Sequence, residues 1–160
     1  MVFSSASFLF YFLPLVLLLY FAAAPTIGLR NLVLLLASII FYAWGEGVYT
    51  IVMIISIIAN YFFGLWVHRA HEHSSAKVQI GLAIAFNITL LVLFKYTNFI
   101  VDNLNHYAAA PLGLPPIEIG KIHLPIGVSF FTFHCISYLM DIYRKQTPPN
   151  GSLPQLALYI

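Results

Sequence analysis

The sequence predicts an all-α, polytopic integral membrane protein with about five transmembrane helices and the start of a sixth. Hydrophobic residues make up 61% of its 160 positions, and charged residues make up only 8%. A typical globular protein carries about 25% charged residues, so this chain has too little polar material to cover a surface in water. Its mean hydropathy of +0.92 indicates the same. We therefore expect the excess apolar surface to face the lipid bilayer.

The charge balance and the cysteine content bear on other classes of protein. A net charge of +2 is too small to attract a nucleic-acid backbone, so we expect no nucleic-acid partner. The single cysteine, Cys135, cannot form an intrachain disulfide. It therefore does not distinguish an oxidising compartment from a reducing one.

Charged residues divide the chain into apolar segments of roughly 20 residues, the length of helix that crosses a membrane. No basic residue precedes the first segment, which we interpret as a retained helix and not as a signal peptide. The second segment is short, which leaves a re-entrant segment as the alternative to a span. The predicted spans are residues 8–24, 31–44, 48–67, 78–94 and 124–143.

Two segments and the end of the chain do not fit a span. Prolines and glycines at residues 110–116 and 147–152 predict loops, because proline removes a backbone donor and glycine weakens a helix. Residues 156–160 begin a new apolar segment that is too short to cross a membrane. We therefore expect residues 1–160 to be the N-terminal transmembrane part of a longer protein, truncated at Ile160.

The lysines and arginines predict an orientation, since loops on the cytoplasmic side carry the excess of these residues. With the N-terminus in the periplasm, alternation of the spans leaves only Lys95 and Lys121 outside. The cations then placed inside are Arg30, Arg69, Lys77, Arg144 and Lys145.

The third span carries Ser56, Asn60, Gly64 and His68 at every fourth position, which places them on one helical face. Small and polar residues at this spacing are typical of a close contact between membrane helices. We interpret the stripe as such a contact.

Six polar residues are candidates for lining a substrate path. Asn87, Lys95 and Asn98 are predicted to lie on nearly the same side of the fourth segment, where a cation would suit an anionic group. Snorkelling of Lys95 to the headgroups is the alternative. On the fifth span, four polar residues are predicted to share one helical face with Gly127. They either take part in function or form hydrogen bonds with neighbouring helices. The candidates are Lys95, Asn98, His134, Ser137, Tyr138 and Asp141.

The histidines at 68, 71 and 73 raise the question of a metal site. Their spacing does not reproduce a structural zinc pattern, and no cysteine or carboxylate cluster accompanies them. We interpret the segment as a solvated loop and predict no metal site.

Seven short segments of the chain form a distinctive series. They are MVFSS at 1–5, FLF at 8–10, RNL at 30–32, SIIFYAW at 38–44, FKYTNF at 94–99, LPIGVSFFTF at 124–133 and ISYLMDIYR at 136–144. Taken in order, these segments resemble the membrane-bound O-acyltransferases of the alginate O-acetylation type. The fifth of the predicted spans carries the most specific match.

This resemblance implies a multi-pass enzyme of the bacterial inner membrane that moves acetyl groups from a cytoplasmic donor to periplasmic polysaccharide O-acetylation proteins. The donor would be acetyl-CoA or a related acyl thioester, and no resident cofactor is expected. The resemblance also places the family's catalytic histidine beyond Ile160. We therefore assign no catalytic residue within this chain and predict that it is inactive alone.

Other functions remain as alternatives. Within the same family, transfer of D-alanine to teichoic acid is the nearest. A non-catalytic membrane scaffold and a small transporter are the other two, although a transporter is expected to show an inverted repeat or paired mid-membrane charges, and the sequence shows neither.

Overall fold

The computed structural model describes residues 5–23, 26–70, 76–109, 111, 115–117, 120, 122–149 and 151–160, and within these residues it contains helices and no strand. A π-helical turn at Phe8–Phe12 leads into the first helix, a 3₁₀ turn at Gly47–Tyr49 joins the second to the third, and a π-helical turn at Asn105–Ala109 follows the fifth. The α-helices are α1 (Leu13–Ala22), α2 (Ile27–Glu46), α3 (Thr50–Ala70), α4 (Ala76–Lys95), α5 (Thr97–Leu104), α6 (Val128–Tyr143) and α7 (Leu153–Tyr159).

The apolar helices fit a membrane protein. Two stretches are long and apolar enough to cross a membrane: Ile27–Ala70, which contains α2 and α3, and Ala76–Lys95. Large apolar side chains face outward on several helices, and Phe10, Leu18 and Trp44 are each about 70% exposed. Lipid is the medium that accepts such a surface without cost. The predicted all-α class is confirmed for the described residues and the apolar helices are consistent with a membrane protein, whereas the count of five spans stays a prediction.

Helix α2 is longer than the short second span that the sequence predicts. It runs for 20 residues because its N-terminus is capped, with the Thr26 hydroxyl accepting from the Leu29 N–H at 3.4 Å. Arg30 and Glu46, which bounded the predicted segment, both lie inside the helix. The helix ends where Gly47 takes a φ of +57°, a conformation that glycine adopts most readily.

The fifth predicted span begins too early. Helix α6 starts at Val128, because proline at 125 cannot donate a helical hydrogen bond and Gly127 has a left-handed φ of +79°. Gly127 is the N-cap of α6 and not a helical residue. The prediction that it shares the helical face of His134 is therefore wrong.

The fourth predicted segment is also divided. Helix α4 ends at Lys95, Tyr96 forms a turn, and α5 begins at Thr97. Asn98 therefore lies on a different helix from Asn87, and the prediction that Asn87, Lys95 and Asn98 share one helical side is wrong.

Helices α3, α4 and α6 pack together in the centre of the chain. Their contact is apolar at Val67, Ala83 and Leu139, which are fully buried. Asn60 of α3 and Asn87 of α4 are buried beside them and exchange two amide hydrogen bonds of 3.0 and 2.7 Å. Hydrogen bonds between membrane helices contribute about 0.6 kcal/mol on average, so this pair fixes the register of the two helices more than it adds stability.

The small and polar stripe of α3 makes the predicted close contact. Ser56 and Asn60 are fully buried, and a Cβ at Gly64 would lie only 2.7 Å from the Tyr138 hydroxyl of α6. His68, at the end of the stripe, is exposed. The prediction is thus confirmed for Ser56, Asn60 and Gly64.

Aromatic contacts bring three parts of the chain to one end of this bundle. The ring of Tyr49, between α2 and α3, lies 6.2 Å from the ring of Phe94 near the end of α4. It also lies 5.0 Å from the ring of His123, in the segment before α6. The His123 imidazole therefore lies at this end of the bundle.

Candidate functional site

An apolar cavity of about 670 Å³ lies between α1, α2, α3 and α7. Each of these parts of the chain contributes to its walls. Representative lining residues are Phe12 from the turn before α1, Leu35 from α2, Ile57 from α3 and Leu158 from α7. Both α2 and α3 line the cavity, and the helical backbone is interrupted between them at Gly47, whose φ is positive. Polar groups reach the cavity mainly from the last turns of α2, through Tyr42 and Glu46.

Glu46 is the most unusual of these groups because its side chain is only 3% exposed. A carboxylate removed from water is costly unless it is paired and hydrogen-bonded. Its partner is His123, whose Nε2 lies 3.1 Å from Glu46 Oε2. We refer to these two residues as the Glu46–His123 pair.

The pair constrains the tautomer of the imidazole. When Glu46 is ionised, its carboxylate can only accept a hydrogen bond, and His123 Nε2 then carries the hydrogen and donates it. In the neutral ring, Nδ1 is then an unprotonated acceptor. The His123 side chain is 58% exposed, so the pair joins a buried carboxylate to an imidazole that solutes can reach.

A second contact holds the His123 segment over the end of α2. The Tyr42 hydroxyl donates to the backbone carbonyl of Ile126 at 2.9 Å. Together with the ring of Tyr49 beside the imidazole, this contact holds residues 123–126 against the junction of α2 and α3. Three contacts therefore hold His123 in place. They are the hydrogen bond with Glu46, the ring contact with Tyr49 and the hydrogen bond from Tyr42 to the Ile126 backbone.

This arrangement is suited to proton transfer. A buried carboxylate that orients one imidazole nitrogen leaves the other to accept or deliver a proton, as in the Ser-His-Asp triad of hydrolases. The cavity supplies an apolar compartment on the inner side of the same carboxylate.

The candidates predicted from the sequence at the α4–α5 junction lie at the same end of the bundle but outside the cavity. The Lys95 ammonium lies 5.6 Å from the centre of the Tyr96 ring, and Lys95 is exposed. The Asn98 amide donates to the Ile122 carbonyl at 2.8 Å and accepts from the Ile122 N–H at 3.0 Å. Asn98 therefore holds the backbone next to His123.

The four candidates of α6 share one face, as predicted, but that face does not line the cavity. His134 and Ser137 are exposed, Asp141 is half-buried, and Tyr138 is buried against Gly64. The His134 ring lies 5.8 Å from the ring of Tyr159 in α7. Their role in a substrate path stays a prediction. His71, His73 and Lys121, which the sequence reasoning also used, lie outside the described residues.

Sequence reasoning missed Glu46 and His123 because 77 residues separate them. Each looked ordinary in its own segment, since Glu46 was the charge that closed a span and His123 preceded one. A carboxylate between two glycines at the end of an apolar run was the only available signal.

Comparison with known proteins identifies relatives that match over the whole chain. The chain is 39% identical over 161 residues to the probable alginate O-acetylase AlgI of Pseudomonas aeruginosa, a match that covers 100% of this chain and 30% of that protein. The protein of the same name from Azotobacter vinelandii is 40% identical over 161 residues, with 100% and 32% covered. The peptidoglycan O-acetyltransferase of Helicobacter pylori is 34% identical over 148 residues, with 91% and 27% covered.

The chain thus spans about 30% of the length of the curated relatives that it matches. No protein-family model matches the chain, and no solved structure matches it. The resemblance found in the sequence is nevertheless confirmed by these relatives: over its whole length, this chain is related to the membrane-bound O-acyltransferases of the alginate O-acetylation type.

Proposed function

We propose that this chain is part of an O-acyltransferase that moves acetyl groups across the membrane for O-acetylation of an exopolysaccharide such as alginate. The observation that carries the proposal is the identity of 39–40% over the whole chain with relatives named alginate O-acetylases. Because the chain spans about 30% of those relatives, the activity is proposed for the protein that contains these residues and not for the isolated chain. The donor in this proposal is acetyl-CoA or a related thioester on the cytoplasmic side.

The acceptor is proposed from the names of the relatives. Five of them are named alginate O-acetylases and one is named a peptidoglycan O-acetyltransferase. All six names specify acetyl transfer, which favours acetyl over D-alanyl transfer and favours an enzyme over a scaffold or a transporter. Alginate is the acceptor in the names of the relatives that are 39–40% identical to this chain.

The proposal includes a bacterial inner-membrane location with the N-terminus in the periplasm and with periplasmic O-acetylation proteins as partners. The distribution of lysine and arginine supports this orientation. Reporter fusions after Glu46 and after Ala110 test it, since both should report the periplasmic side. A cytoplasmic signal at either position would overturn it.

We assign to the Glu46–His123 pair the acid–base work that this part of the protein contributes. A positioned acid or base typically accelerates a reaction about 10²–10⁴-fold. His123→Gln keeps a polar side chain but removes the nitrogen that exchanges protons, and Glu46→Gln removes the carboxylate that orients it. We expect each to lower acetyl transfer about 100-fold, whereas His106→Gln, at an exposed histidine that contacts Tyr107, should leave it unchanged.

A chimera tests the function of the chain in a complete protein. The 160 residues replace the matching 161-residue segment of the Pseudomonas aeruginosa relative in a strain that lacks that relative. The O-acetyl content of the secreted alginate is then measured. We expect acetylation well above that of the strain with no insert, and the glutamine variants of the pair are measured in the same chimera. A chimera that inserts at normal levels but leaves the alginate unacetylated would contradict the proposed function.

A further inference from the structure

We propose that α5 lies along the membrane surface, with one apolar face immersed in the boundary between lipid headgroups and acyl chains. The proposal concerns how the chain sits in the bilayer and holds whether or not the chain takes part in acyl transfer. It rests on the two faces of α5, on its length and on its position after α4.

The first face is apolar and exposed. Tyr96, Ile100, Leu104 and Tyr107 follow one another at spacings of four, four and three residues, which aligns them on one side of a helix. Phe99 borders this face, and the one polar side chain within it, Asn103, donates its amide to the Phe99 carbonyl at 2.7 Å. All five apolar side chains are at least 43% exposed, and Tyr107 reaches 73%. Water would oppose the exposure of so many adjacent apolar groups.

The opposite face is polar and already occupied. Asn98 exchanges two hydrogen bonds with the backbone of Ile122, and Asn105 exchanges two, of 3.0 and 2.7 Å, with the backbone of Ile117. The two asparagines are seven residues apart and therefore lie on the same side of the helix. They hold the backbone at Ile117 and at Ile122 against α5 and leave the apolar face pointing away from these two contacts.

Lipid is the occupant that fits the apolar face. An α-helix of eight residues is far too short to cross a bilayer, which needs about 20. It follows α4, a largely apolar helix of 20 residues, and the exposed side chains of Ile88 and Leu93 continue the apolar surface up to it. Tyr96 and Tyr107 are residues that membrane interfaces favour. Lys95, at the end of α4, can extend its long side chain to the polar headgroup layer.

One consequence concerns the Glu46–His123 pair. Ile122 is bound to Asn98 and His123 follows it directly, so the depth of α5 sets the depth of the imidazole. In this arrangement His123 lies near the headgroup layer, at the level where a water-soluble acceptor can reach it.

Fluorescence quenching of single tryptophans measures the depth of α5. Trp44 and Trp66, the two native tryptophans, are first replaced by phenylalanine in the full chain. Tryptophan is then placed at Ile100 or at Tyr107 on the apolar face. The matched control is Asp102→Trp, an exposed position about 160° around the helix from Ile100. Each variant is reconstituted in vesicles of phosphatidylcholine and phosphatidylglycerol that contain lipids brominated near the headgroup or near the chain end.

We expect Ile100→Trp and Tyr107→Trp to be quenched about two-fold more by shallow bromines than by deep ones, as suits a helix buried 5–10 Å into the boundary. Aqueous acrylamide should quench Asp102→Trp about three-fold more than Ile100→Trp. If acrylamide quenches both faces equally, the apolar face lies in water and the proposal is wrong. If neither bromine nor acrylamide reaches Ile100→Trp and Tyr107→Trp, protein covers the face, and the proposal is equally wrong. Stronger quenching by the deep bromines would place α5 inside the hydrocarbon and would also overturn it.

Discussion

Replacement of Gly64 by alanine is the sharpest test of the packing that positions α6 against α3. An alanine Cβ at this position would lie 2.7 Å from the Tyr138 hydroxyl oxygen, 2.9 Å from Tyr138 Cε1 and 3.0 Å from Ile142 Cδ1. Both neighbours are side chains of α6 and are almost completely buried. Neither can move far without disturbing the packed centre of the chain, so we expect the two helices to separate slightly.

The magnitude follows from two opposing contributions. Insertion of a methyl group into a packed core typically costs about 1–3 kcal/mol. Against this, alanine is a better helix former than glycine by about 0.8–1.0 kcal/mol. Because three atoms are crowded at once, the packing cost should be in the upper part of its range. We expect Gly64→Ala to lower the free energy of unfolding by about 1–2 kcal/mol.

Gly81→Ala is the matched control, because glycine at 81 also lies within a helix and no atom lies within 4 Å of its Cβ position. Here only the helix contribution remains, so the variant should be as stable as the parent or more stable by up to about 1 kcal/mol. Unfolding is measured for both variants in detergent micelles with increasing dodecyl sulfate. Adding Tyr138→Phe to Gly64→Ala removes the closest atom and should recover part of the loss. A Gly64→Ala protein at least as stable as the parent would refute the close approach of α3 and α6.

Three further predictions use the same preparation. Asn87→Ala should lower the free energy of unfolding by about 1–3 kcal/mol, because the buried Asn60 amide loses its cross-helix partner, and the Asn60→Ala/Asn87→Ala double variant should lose less than the sum of the single losses. Additive losses would contradict this pairing. Tyr42→Phe should lower the free energy of unfolding by about 0.5–1.5 kcal/mol, since it removes the hydrogen bond to the Ile126 carbonyl. An unchanged free energy of unfolding would mean that this hydrogen bond does not form. Cys135 is fully buried, so a membrane-permeant maleimide should label it only after unfolding. Rapid labelling of the folded chain would show that the Cys135 side chain is not buried.

The positions of the apolar helices could be predicted because a membrane span depends on local composition. The fourth predicted span, 78–94, corresponds to α4 at Ala76–Lys95, and the first, 8–24, corresponds closely to the apolar stretch Phe8–Ala22. In each case, lipid accepts a run of apolar side chains whatever the rest of the chain does. A charged or strongly polar residue then marks the end of that run.

The ends of α2 and α6 could not be predicted in this way, because they depend on backbone geometry and not on hydropathy. The Thr26 cap extends α2 past the charge at Arg30. The left-handed φ of Gly127 delays α6 beyond an apolar sequence that looks continuous. Glycine can continue a helix or end it, and only the packed structure shows which of the two occurs.

The polar residues illustrate why the candidate site was harder to predict than the fold. Asn98 was assigned to a substrate path because the sequence placed it on nearly the same helical side as Asn87 and Lys95. In the structure its amide is satisfied by the backbone of Ile122. Asn60 and Asn87 likewise satisfy each other. In an apolar environment, the first requirement of a polar side chain is a hydrogen-bond partner, and sequence alone does not reveal which partner it finds.

The Glu46–His123 pair differs from these amides in a way that bears on function. An asparagine pair buried on both sides stabilises a contact and exchanges no protons. Glu46 is buried but can hold a charge, whereas His123 is more than half exposed and can change its charge. Such a pair would be a poor choice for stability alone, since removing the Glu46 carboxylate from water costs free energy that an exposed partner repays only in part. Its placement beside a cavity of about 670 Å³ is better explained by proton transfer at the end of the bundle where α5 is proposed to meet the headgroups.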